Sequence, residues 1–269
     1  VSEASRKVII VAAGRGRRLG PETADIPKCM VRVAGQPILH WQLHGFAAVG
    51  LSQFVVVRGY MGDRIEGRGS KLRFIDNRQW LENNILASLM CAGDQLSGGF
   101  FFSYCDIVYT PEVVARLAAR ARSKDAAPVS LIVDRAWADA YQGRTLHPLS
   151  EAELSLVQGQ GSDARVTRVG KGAVEREQAA GEFIGLAYFS AQGAAALRAV
   201  WDKALAEGGL DAPFGRAPTL RQAYLTDALN AMADQGVRLE PVFIDGQWRE
   251  IDTPQDLAAA EKVVAGWKG

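Results

Sequence analysis

Along the first half of the chain, short runs of β-branched and aromatic residues alternate with stretches whose apolar positions recur at helical spacing. Lys7–Ala12 (KVIIVA) predicts a strand buried on both faces, Ile38–Val49 a helix, Phe54–Val57 a second strand and Ile85–Gly93 a second helix. Gly99–Tyr104 predicts a third strand, Pro111–Ala121 a helix opened by its proline, and Val129–Val133 a fourth strand. Such alternation implies parallel βαβ units. In open sheets of that kind ligands sit beyond the carboxyl ends of the strands. Chemistry is therefore expected just after Ala12, Val57, Tyr104 and Val133.

From Asp134 to Glu182 the pattern breaks into a polar, glycine-rich, mixed-charge stretch. It predicts an inserted segment, 134–182, with short strands around Arg165–Val169 and Phe183–Phe189. Helical spacing returns at Ala191–Ala206 and Leu220–Gln235, separated by a glycine- and proline-rich loop, Gly208–Pro218. A strand at Leu239–Ile244 and a helix at Pro254–Ala265 close the chain. With no internal repeat and no low-complexity tail, residues 1–269 are expected to form one domain containing that insertion.

Composition narrows the class without naming a function. The 269 residues are 48% hydrophobic and 23% charged, a globular profile. Lys+Arg number 31 against 30 Asp+Glu, a net charge of +1, so nothing in the overall charge favours a nucleic-acid partner. No stretch approaches the roughly 18 apolar residues of a bilayer span, and Val1–Lys7 lacks the apolar core of a signal peptide. The expectation is a cytoplasmic protein without membrane contact. Cys29, Cys91 and Cys105 are an odd number without zinc-like pairing and read as reduced structural thiols.

The segment after the first strand carries the first candidate chemistry. Ala12-Ala13-Gly14-Arg15-Gly16-Arg17-Arg18-Leu19-Gly20 is followed by Pro27-Lys28. A Rossmann fingerprint would need glycine where Leu19 stands, and the Gly-Lys-Ser/Thr ending of a Walker A loop is absent. The turn still exposes backbone N–H groups to an anion, with Arg15, Arg17, Arg18 and Lys28 supplying positive charge around it. A triphosphate suits it, as does the alternative of a tight turn with a solvated cationic face.

The longer string AAGRGRRLGPETADIPKCMVRVAGQPIL resembles the opening of the nucleotidyltransferases that activate phosphorylated small molecules, whose signature is Gly-x-Gly-x-Arg followed by Pro-Lys. Asn83-Asn84 with Ser88-Leu89, Asp106, the Gly181–Gly185 stretch and Glu250–Asp256 extend the resemblance in the same order over essentially the whole chain. Asn83-Asn84 and the stretch DRAWADAYQGRTLHPLSEAE make it most similar to the branch containing bacterial phosphocholine cytidylyltransferases and the cytidylyltransferases of phosphonate biosynthesis. The resemblance implies a Rossmann-like, mostly parallel mixed sheet flanked by helices. It also implies a CTP- and Mg²⁺-dependent reaction that couples CMP to a small phosphonate or phosphomonoester and releases pyrophosphate. The alternatives are uridylyl or thymidylyl transfer to a sugar 1-phosphate, or a catalytically silent nucleotide-binding module. The sequence leaves the acceptor and the oligomeric state open, a homodimer included.

The resemblance assigns roles residue by residue. Asp106 and Asp252 would hold the metal; by local sequence alone they also suit a turn before Pro111 and a helix N-cap before Thr253 and Pro254. Lys28 would contact the α-phosphate and Arg18 the β,γ-phosphates, with Ala12, Ala13, Gly14, Gly16 and Arg17 around the nucleotide. Gly59, Tyr60, Asn83, Asn84 and Ser88 fall where the family reads the base, although the two asparagines also suit a cap for the helix at Ile85. For the acceptor, Arg135, Arg144, His147 and Lys171 are cations suited to a phosphonate or phosphate, and Glu182 and Asp227 suit a cationic or hydroxyl end. Trp137 and Tyr141, four apart, suit either an ammonium or the core. His40 and His44 are also four apart, but they lack a third ligand and read as structural.

Overall fold

The computed structural model describes residues 6–267, so most of the Val1–Lys7 stretch lies outside the described residues. Its strands are β1 (Lys7–Ala12), β2 (Arg32–Val33), β3 (Gln36–Pro37), β4 (Gln53–Arg58), β5 (Leu72–Asp76), β6 (Phe100–Tyr104), β7 (Ile107–Tyr109), β8 (Val129–Asp134), β9 (Leu154–Gln158), β10 (Arg165–Val169), β11 (Gly181–Phe189), β12 (Leu239–Ile244) and β13 (Trp248–Glu250). The helices are α1 (Ile38–Ala48), α2 (Ile85–Met90), α3 (Pro111–Ala121), α4 (Trp137–Ala140), α5 (Ala191–Gly208), α6 (Leu225–Asp234) and α7 (Pro254–Val264).

The central sheet has nine strands in the order β10-β9-β11-β6-β1-β4-β5, with β8 on β11 and β12 on β8. All except β11 and β10 run in one direction. This is the Rossmann-like, mostly parallel mixed sheet that the sequence implies. Its inner strands β1, β4 and β6 are mostly apolar runs because both faces are covered. Ile9, Val11, Val55 and Val57 face α2, α5 and α6 with Phe100 and Phe102. The alternate residues Val8, Ile10 and Val56 face α1 and α3 with Phe101.

Several expected boundaries change, each for a local reason. The β5 edge strand was not predicted because its exposed, charged positions leave no apolar run. The stretch 134–182 supplies β9 and β10 to the central sheet, and its turns pack Trp137, Ala152 and Val174 with Leu154 of β9 into a small cluster of their own, with Tyr141 against it. The expected helix Leu220–Gln235 divides into a turn at Leu220–Gln222 and α6, whose N-terminus is closed by a reciprocal Tyr224–Asp227 cap. The carbonyls of Arg221 and Ala223 instead accept from the N–H groups of Asn84 and Leu86, which the start of α2 leaves without helical partners.

Two small ladders lie outside the main sheet, β2 with β3 and β7 with β13. The second joins distant parts of the chain: Glu250 stands opposite Ile107, and Ile251 N donates to Asp106 O at 2.8 Å. Cys29 and Cys105 are buried, Cys91 is exposed and all three are free. No described helix is long and apolar enough to cross a membrane.

Candidate active site

At the carboxyl ends of β1 and β6 lies a cleft of about 290 Å³, lined by loop residues Ala13, Gly14, Gly16 and Arg18, by Lys28, and by Asp106 and Asp252. Gly16 has φ +68°, and a Cβ there would meet the Lys28 stem at 2.9 Å, so only glycine lets the loop close over that side chain. Lys28 enters from a short turn after Pro27 and is buried. Its Nζ donates to Asp106 Oδ2 at 2.8 Å and to Asp252 Oδ1. Burial opposes the ammonium, but the two carboxylates outweigh it and hold the pKa above the ordinary lysine value. Burial likewise opposes the Asp252 carboxylate, yet Lys28 and then Arg18 pull its pKa well below the usual range.

Asp106 occupies the turn between β6 and β7, and the β7–β13 ladder brings Asp252 alongside. The N-cap of α7 is Thr253, with Asp256 completing the reciprocal cap, so the carboxylate of Asp252 is free of that task. Asp106 Oδ1 is buried without a hydrogen-bond partner. Arg18 pairs with Asp252 Oδ2 and reaches Glu151 Oε2 at 3.5 Å.

One wall of the cleft holds Trp80, Asn83, Asn84, Ile85 and Ser88. Here the two asparagines separate. Asn84 Oδ1 caps α2 by accepting from Ile85 N at 2.8 Å. Asn83 belongs to an amide cluster: its Oδ1 accepts from Asn77 Nδ2 at 2.8 Å, which also donates to Ser88 Oγ at 2.9 Å. The opposite wall holds Glu151, Glu153, Glu182 and Glu250 with Lys171, and Tyr104, Tyr224 and Trp248 among them. Lys171 Nζ bonds Glu151 at 3.1 Å and lies 5.0 Å from the Tyr224 ring centre. Glu182 Oε1 accepts from Tyr141 OH at 2.6 Å, while Oε2 is buried and unpartnered. Burial pushes the Glu182 carboxyl up to about 8. Burial also raises Glu153 to about 7, against the opposing pull of Lys171 and of the Tyr104 hydroxyl bond.

Other sequence-derived candidates stand elsewhere. Ala12 is the buried last residue of β1, and Arg17 is exposed outside the cleft. Gly59 packs the loop from behind: a Cβ would fall 2.6 Å from both Ala13 O and Trp80 Cβ. Tyr60 N donates to Ala13 O at 3.0 Å and its hydroxyl to Ala24 O at 2.9 Å, so it ties the loop down. Arg135 lies exposed on the surface in a two-pronged pair with Asp245, since the end of β8 turns it away from the cleft. Asp227 Oδ2 accepts from Tyr224 N at 2.9 Å and Oδ1 from Arg216 N at 3.0 Å, which makes it a cap and loop tie. Tyr141, Arg144 and His147 sit behind the carboxylate wall. Arg144 bonds Asp256 at 2.8 Å and Glu250 at 3.3 Å, both its carboxylate contacts being internal to the protein. Trp137 is core, and His40 bonds the Glu66 carbonyl at 2.8 Å.

Sequence reasoning missed Trp80, Tyr104, Glu151, Glu153, Tyr224, Trp248 and Glu250. The spacing of Glu250, at the end of β13, with Asp252 held a signal, because residues two apart along a strand direction share a face. The aromatic residues gave none.

The chain is 29% identical over 259 residues to the CTP:phosphoglutamine cytidylyltransferase of Campylobacter jejuni, spanning 93% of this chain and 96% of that protein. It is 26% identical over 256 residues to the 2-aminoethylphosphonate cytidylyltransferase of Lancefieldella rimae, spanning 93% and 90%. Among solved structures, the CTP:phosphocholine cytidylyltransferase of Streptococcus pneumoniae shares the fold with a TM-score of 0.69 at 18% identity, covering 96% of this chain and 98% of that one. The profile of the MobA-like NTP transferase domain matches residues 8–252, a span that takes in the β1 loop, Lys28, Asp106 and Asp252, and the chain belongs to that family.

Proposed function

We propose that this protein is a CTP-dependent cytidylyltransferase that couples CMP to a small phosphonate or phosphomonoester carrying an ammonium group, with release of pyrophosphate. The observation that carries the reading is the asymmetry of the cleft. Its floor holds Lys28 between Asp106 and Asp252 under a cationic loop, and its far wall holds four carboxylates with aromatic rings. A triphosphate suits the first end. An ammonium suits the second, where Glu182 Oε2 lacks a partner and Tyr224 and Trp248 line the wall. The printed activities of the Campylobacter jejuni and Lancefieldella rimae relatives support CTP and a small phosphorylated acceptor.

In the reaction an acceptor oxygen attacks the α-phosphorus of CTP, a new P–O bond forms, and the bond to the β-phosphate oxygen breaks to release pyrophosphate. Two anions must approach, so fixed positive charge along their path lowers the barrier. Lys28 provides it at the cleft floor, kept charged by its two aspartates, and Arg18 provides it at the loop. The Asn77–Asn83–Ser88 cluster holds amide groups rigidly toward the base wall. Glu182, with Tyr141 behind it, orients the ammonium end; burial favours its protonated form, and an ammonium charge beside it draws it back toward the carboxylate. The unpartnered Asp106 Oδ1 and the all-oxygen donor pair Asp106 and Asp252 fit a hard divalent cation, and these two residues would hold Mg²⁺. When bound, Mg²⁺ supplies charge neutralisation to the phosphate oxygens.

The test is pyrophosphate release with Mg²⁺ across the four ribonucleoside triphosphates and dTTP, each against 2-aminoethylphosphonate, phosphocholine, uncharged-tail phosphonates and sugar 1-phosphates. Turnover with CTP and an ammonium-bearing acceptor is the expected result. Turnover with UTP or dTTP and a sugar 1-phosphate would replace both the base and the acceptor assignments. Nucleotide binding without pyrophosphate release for any acceptor would support a silent binding module.

A further inference from the structure

Asp134, the last residue of β8, is 1% exposed and does not itself line the cleft. Three N–H groups converge on its carboxylate. Oδ1 accepts from Gly246 N at 2.7 Å and from Ala136 N at 3.0 Å, and Oδ2 accepts from the indole Nε1 of Trp248 at 2.7 Å. An ionised carboxylate accepts all three, whereas an amide would turn its own NH₂ toward one of the donors.

The two backbone bonds hold the turn between β12 and β13. Gly246 has φ +80° and Gln247 φ +68°, and a non-glycine residue in that region persists only where its surroundings fix it. The third bond goes instead to a side chain of the cleft wall. Trp248 is 4% exposed and stands between two cavities: the cleft on one side, and on the other a space of about 300 Å³ lined also by Gly143, Arg249, Gln255 and Lys262. Packing alone leaves the indole room to turn away from the cleft, so its charge-assisted bond to Asp134 fixes the ring. With its one polar atom engaged there, the indole contributes carbon surface to the cleft, which suits the alkyl carbons beside an ammonium. Asp134 also stands opposite Glu182 in the β8–β11 ladder, so both residues of the acceptor end are set from one position.

We infer that Asp134 is a positioning residue for the acceptor: through Trp248 it keeps the acceptor wall in its binding arrangement, and it leaves the nucleotide end untouched. The identity of the acceptor rests on the transfer reading above.

Two measurements on the full chain test it. In the ¹H–¹⁵N spectrum, the Trp248 indole signal is the one lost in Trp248→Phe. It is expected to exchange slowly with solvent in the wild type and at least about tenfold faster in Asp134→Asn, with the other five indoles unchanged. In steady-state pyrophosphate release, apparent affinity scales with the fraction of molecules in the competent arrangement, so Asp134→Asn should raise the acceptor KM about tenfold and the CTP KM by less than about twofold. In the Trp248→Phe background the same change should add nothing, because no indole remains to be held. Thermal unfolding checks that each variant is folded. If Asp134→Asn is not, Trp248→Phe decides, since it leaves the ties to Gly246 and Ala136 in place and should raise the acceptor KM alone. An unchanged acceptor KM, an equal rise in both KM values, or a full effect of Asp134→Asn in the Trp248→Phe background would each overturn the inference, as would a wild-type indole that exchanges freely. Turnover only with a sugar 1-phosphate would overturn the transfer reading and not the role of Asp134, whose KM split is then read with that acceptor. With no turnover for any pair, the transfer reading falls and the acceptor role of Asp134 falls with it, even where the indole bond is intact.

Discussion

Lys28 is the residue on which the floor of the cleft depends, because its ammonium is the shared partner of two carboxylates far apart in the chain. Removing it leaves Asp106 without a cationic partner and Asp252 with Arg18 alone, and takes away the positive charge proposed for the α-phosphate path. Lys28→Ala and Asp106→Asn are each expected to lower kcat by about 10²–10³-fold, the usual loss when one preorganised electrostatic group is deleted. Steady-state pyrophosphate release checks this, and near-wild-type turnover in both would remove the assignment. Glu182 gives a prediction in pH. Its carboxyl is raised to about 8 in the fold by burial. Below about pH 4.3 it is protonated in both states. Above that the unfolded chain loses the proton while the folded chain keeps it, so stability falls with rising pH until about 8 by up to about 1.4 kcal/mol per unit. Urea midpoints across pH 5–8 should therefore fall more steeply for the wild type than for Glu182→Gln, and parallel curves would contradict the assignment.

At the scale of elements, the cleft is assembled by short connections, and these are where substitutions should separate packing from chemistry. Gly16→Ala combines a left-handed backbone with a 2.9 Å approach to the Lys28 stem. It should lower kcat/KM by displacing Lys28, with a smaller effect on folding because the loop around it is largely exposed. Comparing its thermal midpoint with its kinetics checks this. Asn84 is the contrasting case: as the cap of α2, its change to alanine should cost about 1 kcal/mol of stability, read from denaturant midpoints. Much at this scale was legible from sequence. Apolar runs located β1, β4, β6 and β8, since burial on both faces leaves a nearly unbroken hydrophobic signature. The β5 edge and the three-residue strands β7 and β13 were not legible, because exposed or very short strands carry no such run.

For the whole molecule, the net charge of +1 conceals a cleft with a cationic rim and an acidic wall. Ligand linkage should show this division. CTP with Mg²⁺ at about a hundred times its Kd should stabilise the fold by about 2.7 kcal/mol, a Tm rise of roughly 5–11 °C for a domain of this size, and CTP without the divalent ion by clearly less. Differential scanning calorimetry reads both. Equal shifts with and without Mg²⁺ would argue against a metal held by Asp106 and Asp252.

The linear sequence alone determined the alternating α/β layout and the loop whose glycines and cations follow β1, because local hydrophobic period and turn chemistry are written in consecutive residues. It also placed Lys28, Asp106, Glu182 and Asp252 among the candidates through their family-like strings. Only the tertiary structure decided which candidates meet. The β7–β13 ladder sets Asp252 beside Asp106, while the turn after β8 sends Arg135 to Asp245 and the α6 cap takes Asp227. Tertiary folding also gathered Trp80, Tyr224 and Trp248, which are far apart in the chain and carry no local motif. The physical reason is that a side chain's direction and partner depend on strand pairing between distant segments, and that pairing is set by burial over the whole sheet.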